Sequence, residues 1–179
     1  MIINEYEVIF IHIPKNAGSS IEEYFSNESF KIQPNKHADV HEIKRKFKNS
    51  YDNYRKFTII RNPYDKMVSW YFYLKKQLGE QHNVIEFNKW IKDPSKFWHA
   101  NDPISYLKPQ HEWVDDTVVL VEYENLKEEL NQFFGEEIDL PITNKSNHSH
   151  YLNYYNKESL NVVYDRYRED FEKFNYKKL

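Results

Sequence analysis

Lys15 stands where an apolar run ends and a helix begins, and the residues beside it are of the kind that hold an anion. Val8-Ile9-Phe10-Ile11-His12-Ile13 reads as a buried strand, and Pro14-Lys15-Asn16-Ala17-Gly18-Ser19-Ser20 reads as a tight polar loop. Ile21-Glu22-Glu23-Tyr24-Phe25 then has the character of the first turns of a helix. In a strand–loop–helix order the loop N–H groups converge and the helix dipole favours negative charge. The lysine adds a full positive charge. The pattern points to a phosphate- or sulfate-bearing ligand. Ser19 or Ser20 also reads as an ordinary helix cap, and the two readings are compatible because capping donors and anion donors are the same groups.

Positioning that loop takes a sheet. Val8–Ile13, Phe57–Arg61 and Thr117–Glu122 are short apolar runs, nearly continuous rather than alternating, each followed by a helical pattern. Strands buried on both faces of a parallel sheet look this way. A weaker strand is predicted at Phe30–Gln33. Asn62-Pro63 supplies an N-cap and a proline at the first helical position. The helix it opens is predicted to run to about Leu78, with Gly79 as its stop. Met67, Trp70, Leu74 and Leu78 form one stripe of that helix, and Lys66, Ser69 and Tyr73 share another face. Further helices are expected at Val40–Phe47, Val84–Lys92, Ser105–Val114, Asn125–Phe134 and Glu158–Phe174. No repeat or linker divides the chain, so residues 1–179 are expected to form a single domain. The alternation predicts an α/β, P-loop-like three-layer fold, a short central parallel β-sheet flanked by α-helices, with ligands at the carboxyl ends of the strands.

Composition narrows the chemistry. At 179 residues with a formal net charge of -3, nothing suggests a nucleic-acid binder held by bulk charge. There is no cysteine, which excludes disulfides, thiolate catalysis and Cys-based zinc sites. His148-Ser149-His150 lacks further well-spaced ligands, so it does not read as a metal site. No signal-peptide pattern and no apolar stretch near the roughly 20 residues that span a bilayer are visible, so a soluble cytoplasmic protein is expected.

Two segments resemble the sulfotransferases that use 3′-phosphoadenosine 5′-phosphosulfate (PAPS). Ile11-His12-Ile13-Pro14-Lys15-Asn16-Ala17-Gly18-Ser19-Ser20 is similar to the family's 5′-phosphosulfate loop. Arg61-Asn62-Pro63-Tyr64-Asp65-Lys66-Met67-Val68-Ser69-Trp70-Tyr71 is similar to its 3′-phosphate motif. Val121-Glu122-Tyr123-Glu124-Asn125-Leu126 and Asp170-Phe171-Glu172-Lys173-Phe174-Asn175-Tyr176 resemble later landmarks of the carbohydrate-type branch. The chain departs from the family at Asn16-Ala17, where Thr-Gly is frequent, and at Lys66, where arginine is frequent. Lysine lacks arginine's bidentate fork.

The resemblance implies sulfuryl transfer from PAPS to a hydroxyl of a sugar or glycan, with 3′-phosphoadenosine 5′-phosphate (PAP) as product and no metal required. Lys15 would stabilise the charge that grows on the departing 5′-phosphate, as in phosphoryl transfer. Asn16, Ala17, Gly18, Ser19 and Ser20 would supply backbone N–H and hydroxyl donors, with Gly18 allowing close approach. Arg61 and Ser69 would hold the 3′-phosphate, and Lys66 could contribute. His37 would be the base, with His41 in reserve, since a histidine with an unperturbed pKa of ~6.5 is available near pH 7. His12 reads as a core or supporting residue. Lys145 and Ser146 would belong to a loop that closes over the nucleotide. Trp98, Tyr106 and Trp113 are the aromatics expected on the acceptor side.

Two other classes remain open at this point. A P-loop kinase or nucleotide hydrolase shares the strand–loop–helix order, but G-x-x-x-x-G-K-[ST] is absent, because Gly18 follows Lys15 rather than preceding it. A non-catalytic nucleotide-binding module would keep the cradle without turnover.

Overall fold

The computed structural model describes residues 1–25, 31–32, 37–78, 86–97, 106–143 and 148–179. Its elements follow in chain order. They are β1 (Ile2–Ile3), β2 (Val8–Ile11), α1 (Gly18–Tyr24), β3 (Lys31–Ile32), α2 (Val40–Lys46), α3 (Lys48–Asn53) and β4 (Arg55–Ile60). After these come α4 (Pro63–Leu78), α5 (Phe87–Trp90), β5 (Val118–Glu122), α6 (Leu126–Phe134), α7 (Lys157–Arg166) and α8 (Arg168–Lys173). The chain forms two compact units, one of Met1–Arg61 with Gln110–Asn144, the other of Asn62–Pro109 with Lys145–Leu179. Among the described residues no helix is long and apolar enough to cross a membrane.

The first unit is α/β. Its sheet has the order β3-β1-β2-β4-β5, and β2, β4 and β5 run parallel. Register pairs Phe10 with Phe57 and Thr58 with Leu120. The two-residue β1 is antiparallel to both of its neighbours, so the parallel sheet carries an antiparallel margin. Alternation along each strand divides the apolar side chains between two faces. Val8, Phe10, Phe57, Ile59 and Val121 pack with Ile21 of α1 and Leu130 of α6. Ile9, Ile11 and Val118 pack on the opposite face with Val40 and Ile43 of α2 and Tyr51 of α3. The expected three layers are present, with the sheet between α1/α6 and α2/α3. Gly135, at φ 75, caps α6 in the left-handed region that a β-carbon disfavours.

The second unit is helical. Asn62 caps α4 as expected, its Oδ1 accepting the Tyr64 N–H at 3.0 Å. Tyr64, Met67, Val68, Trp70, Tyr71 and Leu74 of α4 pack with Phe87 and Trp90 of α5 and with Val163, Tyr167 and Phe171. The helix predicted over Glu158–Phe174 is broken at Tyr167 (φ -118, ψ 26) into α7 and α8. The break places Tyr167 in the core, where its hydroxyl donates to Met67 Sδ at 3.3 Å.

Candidate active site

β2 ends at Ile11, two residues sooner than its apolar run. Pro14 has no N–H to continue the ladder, and the Ile59 carbonyl on β4 accepts instead from the Asn16 side-chain Nδ2 at 2.6 Å. The loop that follows is strained at two places. Lys15 (φ 71) and Ala17 (φ 56) both adopt left-handed conformations, costing ~1–2 kcal/mol each for residues with a β-carbon. Between them Asn16 is only 1% exposed and turns its amide into the core. Its Oδ1 is buried and has no hydrogen-bond partner among the described residues.

The strain orders the amides. Ala17 is the left-handed N-cap of α1, and no side chain caps the helix, so neither Ser19 nor Ser20 plays that part. The Ser20 N–H is committed to Ala17 O at 2.9 Å, and the Asn16 N–H points to Ile13 O at 3.4 Å. Among the described residues no acceptor meets the N–H groups of Ala17, Gly18 or Ser19. Left-handed followed by right-handed backbone makes a concave nest of donors suited to an anion. Ser20 Oγ accepts the Thr143 N–H at 3.3 Å, which ties the segment after α6 to α1.

Arg61 follows β4 and reaches this loop. Its Nη1 donates to the Lys15 carbonyl at 2.9 Å, and its guanidinium lies over the Tyr123 ring at 4.0 Å. The two basic residues singled out in the sequence therefore meet at the carboxyl ends of the adjacent parallel strands β2 and β4. Gln110 joins them. Its Oε1 accepts from Asn16 Nδ2 at 2.6 Å and from the Arg61 N–H at 3.0 Å, while its Nε2 donates to Arg61 O at 2.8 Å.

His37 lies at the same carboxyl end of β2. Its Nδ1 is 3.3 Å from the His12 carbonyl. A carbonyl can only accept, so in the neutral ring Nδ1 carries the proton and Nε2 keeps its basic lone pair. The His12 ring packs edge-on against His37, centroids 4.6 Å apart, and its Nδ1 meets Glu22 Oε1 at 3.0 Å. Gly18 has a second reason to be glycine: a β-carbon there would fall 1.9 Å from His12 Nε2. His41 is exposed on α2.

In the second unit, Ser69 is buried on α4, and its hydroxyl makes no hydrogen bond among the described residues. Lys66 is 2% exposed and faces Asp170, with Nζ 3.5 Å from Lys108 O. Burial pushes its pKa down from 10.5 to about 8, and the Asp170 carboxylate opposes that shift. Tyr106 stacks on Trp70. Trp113 does not offer a stacking face for an acceptor; it is buried among Ile13, Ala38 and Val114 of the first unit. Trp98, Lys145 and Ser146 lie outside the described residues.

Gln110, Glu22 and Tyr123 escaped the sequence reading. Gln110 sits between a proline and a histidine with no local pattern, and only its distant partners reveal it. Glu22 could have been paired with His12 from the strand–helix turn, and Tyr123 from its place just beyond a strand.

The model of the sulfotransferase family matches residues 1–117. No curated protein and no solved structure matches the chain.

Proposed function

The chain belongs to the sulfotransferase family, whose chemistry is sulfuryl transfer, and from that premise we propose that it uses PAPS to sulfate a hydroxyl of a carbohydrate acceptor. The observation that carries the reading is the Arg61 guanidinium bonded to the Lys15 carbonyl at 2.9 Å, beside loop N–H groups that no described acceptor meets. Two cationic groups and a nest of N–H donors suit a nucleotide with charge at both its 5′ and 3′ ends. The N–H groups of Ala17, Gly18 and Ser19, with the Lys15 ammonium, would hold the 5′ end. Arg61 would hold the 3′-phosphate, and the resemblance assigns Ser69 to the same phosphate. Lys145 and Ser146 keep their place as further nucleotide contacts on the resemblance alone.

PAPS supplies an activated sulfuryl group when bound. His37 Nε2 takes the proton of the acceptor hydroxyl, whose oxygen then bonds to sulfur as the bridging oxygen departs with the 5′-phosphate. Lys15 stabilises the charge that grows on that departing oxygen. No residue in this scheme requires a metal ion.

Calorimetry with PAP, ADP and ATP–magnesium tests the donor. Tight PAP binding is expected; a preference for ATP–magnesium would favour a kinase-like reading and overturn this one. Turnover with labelled PAPS against a glycan panel tests the reaction. Lys15→Ala should lose most transfer, and His37→Ala should bind PAP normally while transferring poorly. Full transfer by Lys15→Ala would remove it from the mechanism, and wild-type turnover by His37→Ala would move the base elsewhere.

A further inference from the structure

Gln110 is fully buried, 94 residues from Asn16 and 49 from Arg61, yet hydrogen-bonded to both. It opens the 3-10 turn Gln110–Trp113, which Trp113 anchors in the core. The bonds close a circuit. Gln110 holds the Asn16 side chain, and Asn16 sits between the two left-handed residues of the loop. Gln110 also holds both backbone polar groups of Arg61, and Arg61 returns through Nη1 to the Lys15 carbonyl. A primary amide offers a donor and an acceptor at one fixed spacing, which neither a carboxylate nor a thioether provides.

We propose that Gln110 is a positioning residue: it locks the Lys15–Ala17 loop to Arg61 and so sets the cradle's nucleotide affinity before the nucleotide arrives. This inference rests on the donor-site reading above. Preorganisation of this kind lowers the ordering cost of binding, and here it is supplied from outside both sequence motifs.

Two variants and one measurement on the unaltered chain test it. Gln110→Met keeps the volume and loses every bond of the clamp. Gln110→Glu keeps the acceptor for Asn16 and the Arg61 N–H but puts a carboxylate against the Arg61 carbonyl. In whichever variant folds by circular dichroism, PAP affinity should fall by about tenfold or more. The KM for PAPS should rise by about as much while kcat changes less than about threefold, since uniform binding is what is lost. Asn16→Ala should cost less affinity when added to the variant than when made alone, because the Asn16–Gln110 bond is already lost. In the unaltered chain, the side-chain amide resonances of Asn16 and Gln110 should shift together on titration with PAP. A folded variant with wild-type PAP affinity and KM overturns the proposal, as does an unaltered chain whose two amides ignore bound PAP. An unaltered chain that binds no PAP overturns the donor reading and the clamp with it.

Discussion

Lys66 carries an ammonium inside the apolar core of the second unit, with the Asp170 carboxylate as counter-charge. Its pKa falls from 10.5 to about 8 because burial penalises the charged form more than Asp170 favours it. Below pH 8 the group is protonated in both the folded and the unfolded chain, and the desolvation cost is fully present. Between pH 8 and 10.5 the unfolded chain holds a proton that the folded chain has released, so stability rises with pH across that window. Comparison with Lys66→Met isolates the effect from other titrating groups. Urea unfolding should show the wild type gaining on the variant by roughly 1–3 kcal/mol between pH 8 and 10. A difference that stays flat with pH would mean that Lys66 keeps an ordinary pKa. Lys15, by contrast, is half-buried, and its part in the proposed chemistry is electrostatic. The same residue type serves opposite ends because one lysine ends a strand and the other lies inside a helix packed on nearly every side.

At the scale of elements, the turn from β2 into α1 is held by contacts that cross it. The His12 ring lies over Gly18 and bonds Glu22, one helical turn further on. Gly18→Ala would drive a methyl into that ring, which must then give up Glu22, His37 or both. The expected loss is about 1–3 kcal/mol of stability, typical of overpacking, together with weaker PAP binding. Thermal melts and calorimetry would check this; a neutral substitution would show that the His12 ring can move freely. The elements bearing these contacts were readable where their pattern is local. β2, β4 and β5 announce themselves as short β-branched runs, and α4 by Asn62-Pro63 and the spacing of Met67, Trp70 and Leu74. The structure keeps them within a few residues of the expected bounds. α3 and the break at Tyr167 were not readable, since packing rather than propensity decides them. The antiparallel β1 is two residues long, too short for any periodicity. At the candidate site, Lys15, Arg61 and His37 were singled out by residue type, setting and the resemblance. Gln110 was not, because its meaning lies wholly in partners distant along the chain. Asn16 was read as a backbone N–H donor to the ligand; that N–H points to Ile13 O at 3.4 Å, and the side-chain amide, which the sequence left without a part, goes to Ile59 and Gln110.

At the scale of the molecule, the family match and the folding units do not coincide. The match closes at residue 117, and β5 begins at Val118. β5 pairs with β4 over five positions from Lys56 to Ile60. Val121, Leu130 and Ile138 complete the apolar cluster that covers Phe57 and Ile59, and Tyr123 lies beneath the Arg61 guanidinium. The second unit in turn draws Val163, Tyr167 and Phe171 from the last stretch of chain. Removing a buried leucine-sized side chain costs about 2–5 kcal/mol, against a total stability of about 5–15 kcal/mol for an ordinary domain. A chain cut after residue 117 forfeits several such side chains from each core and leaves β4 as an open edge. It should show no cooperative thermal transition by circular dichroism and should bind no PAP, whereas the full chain should do both. A sigmoidal melt from the shortened chain would show that the matched segment folds without β5, and that Tyr123 and the apolar cover of β4 are dispensable to the cradle.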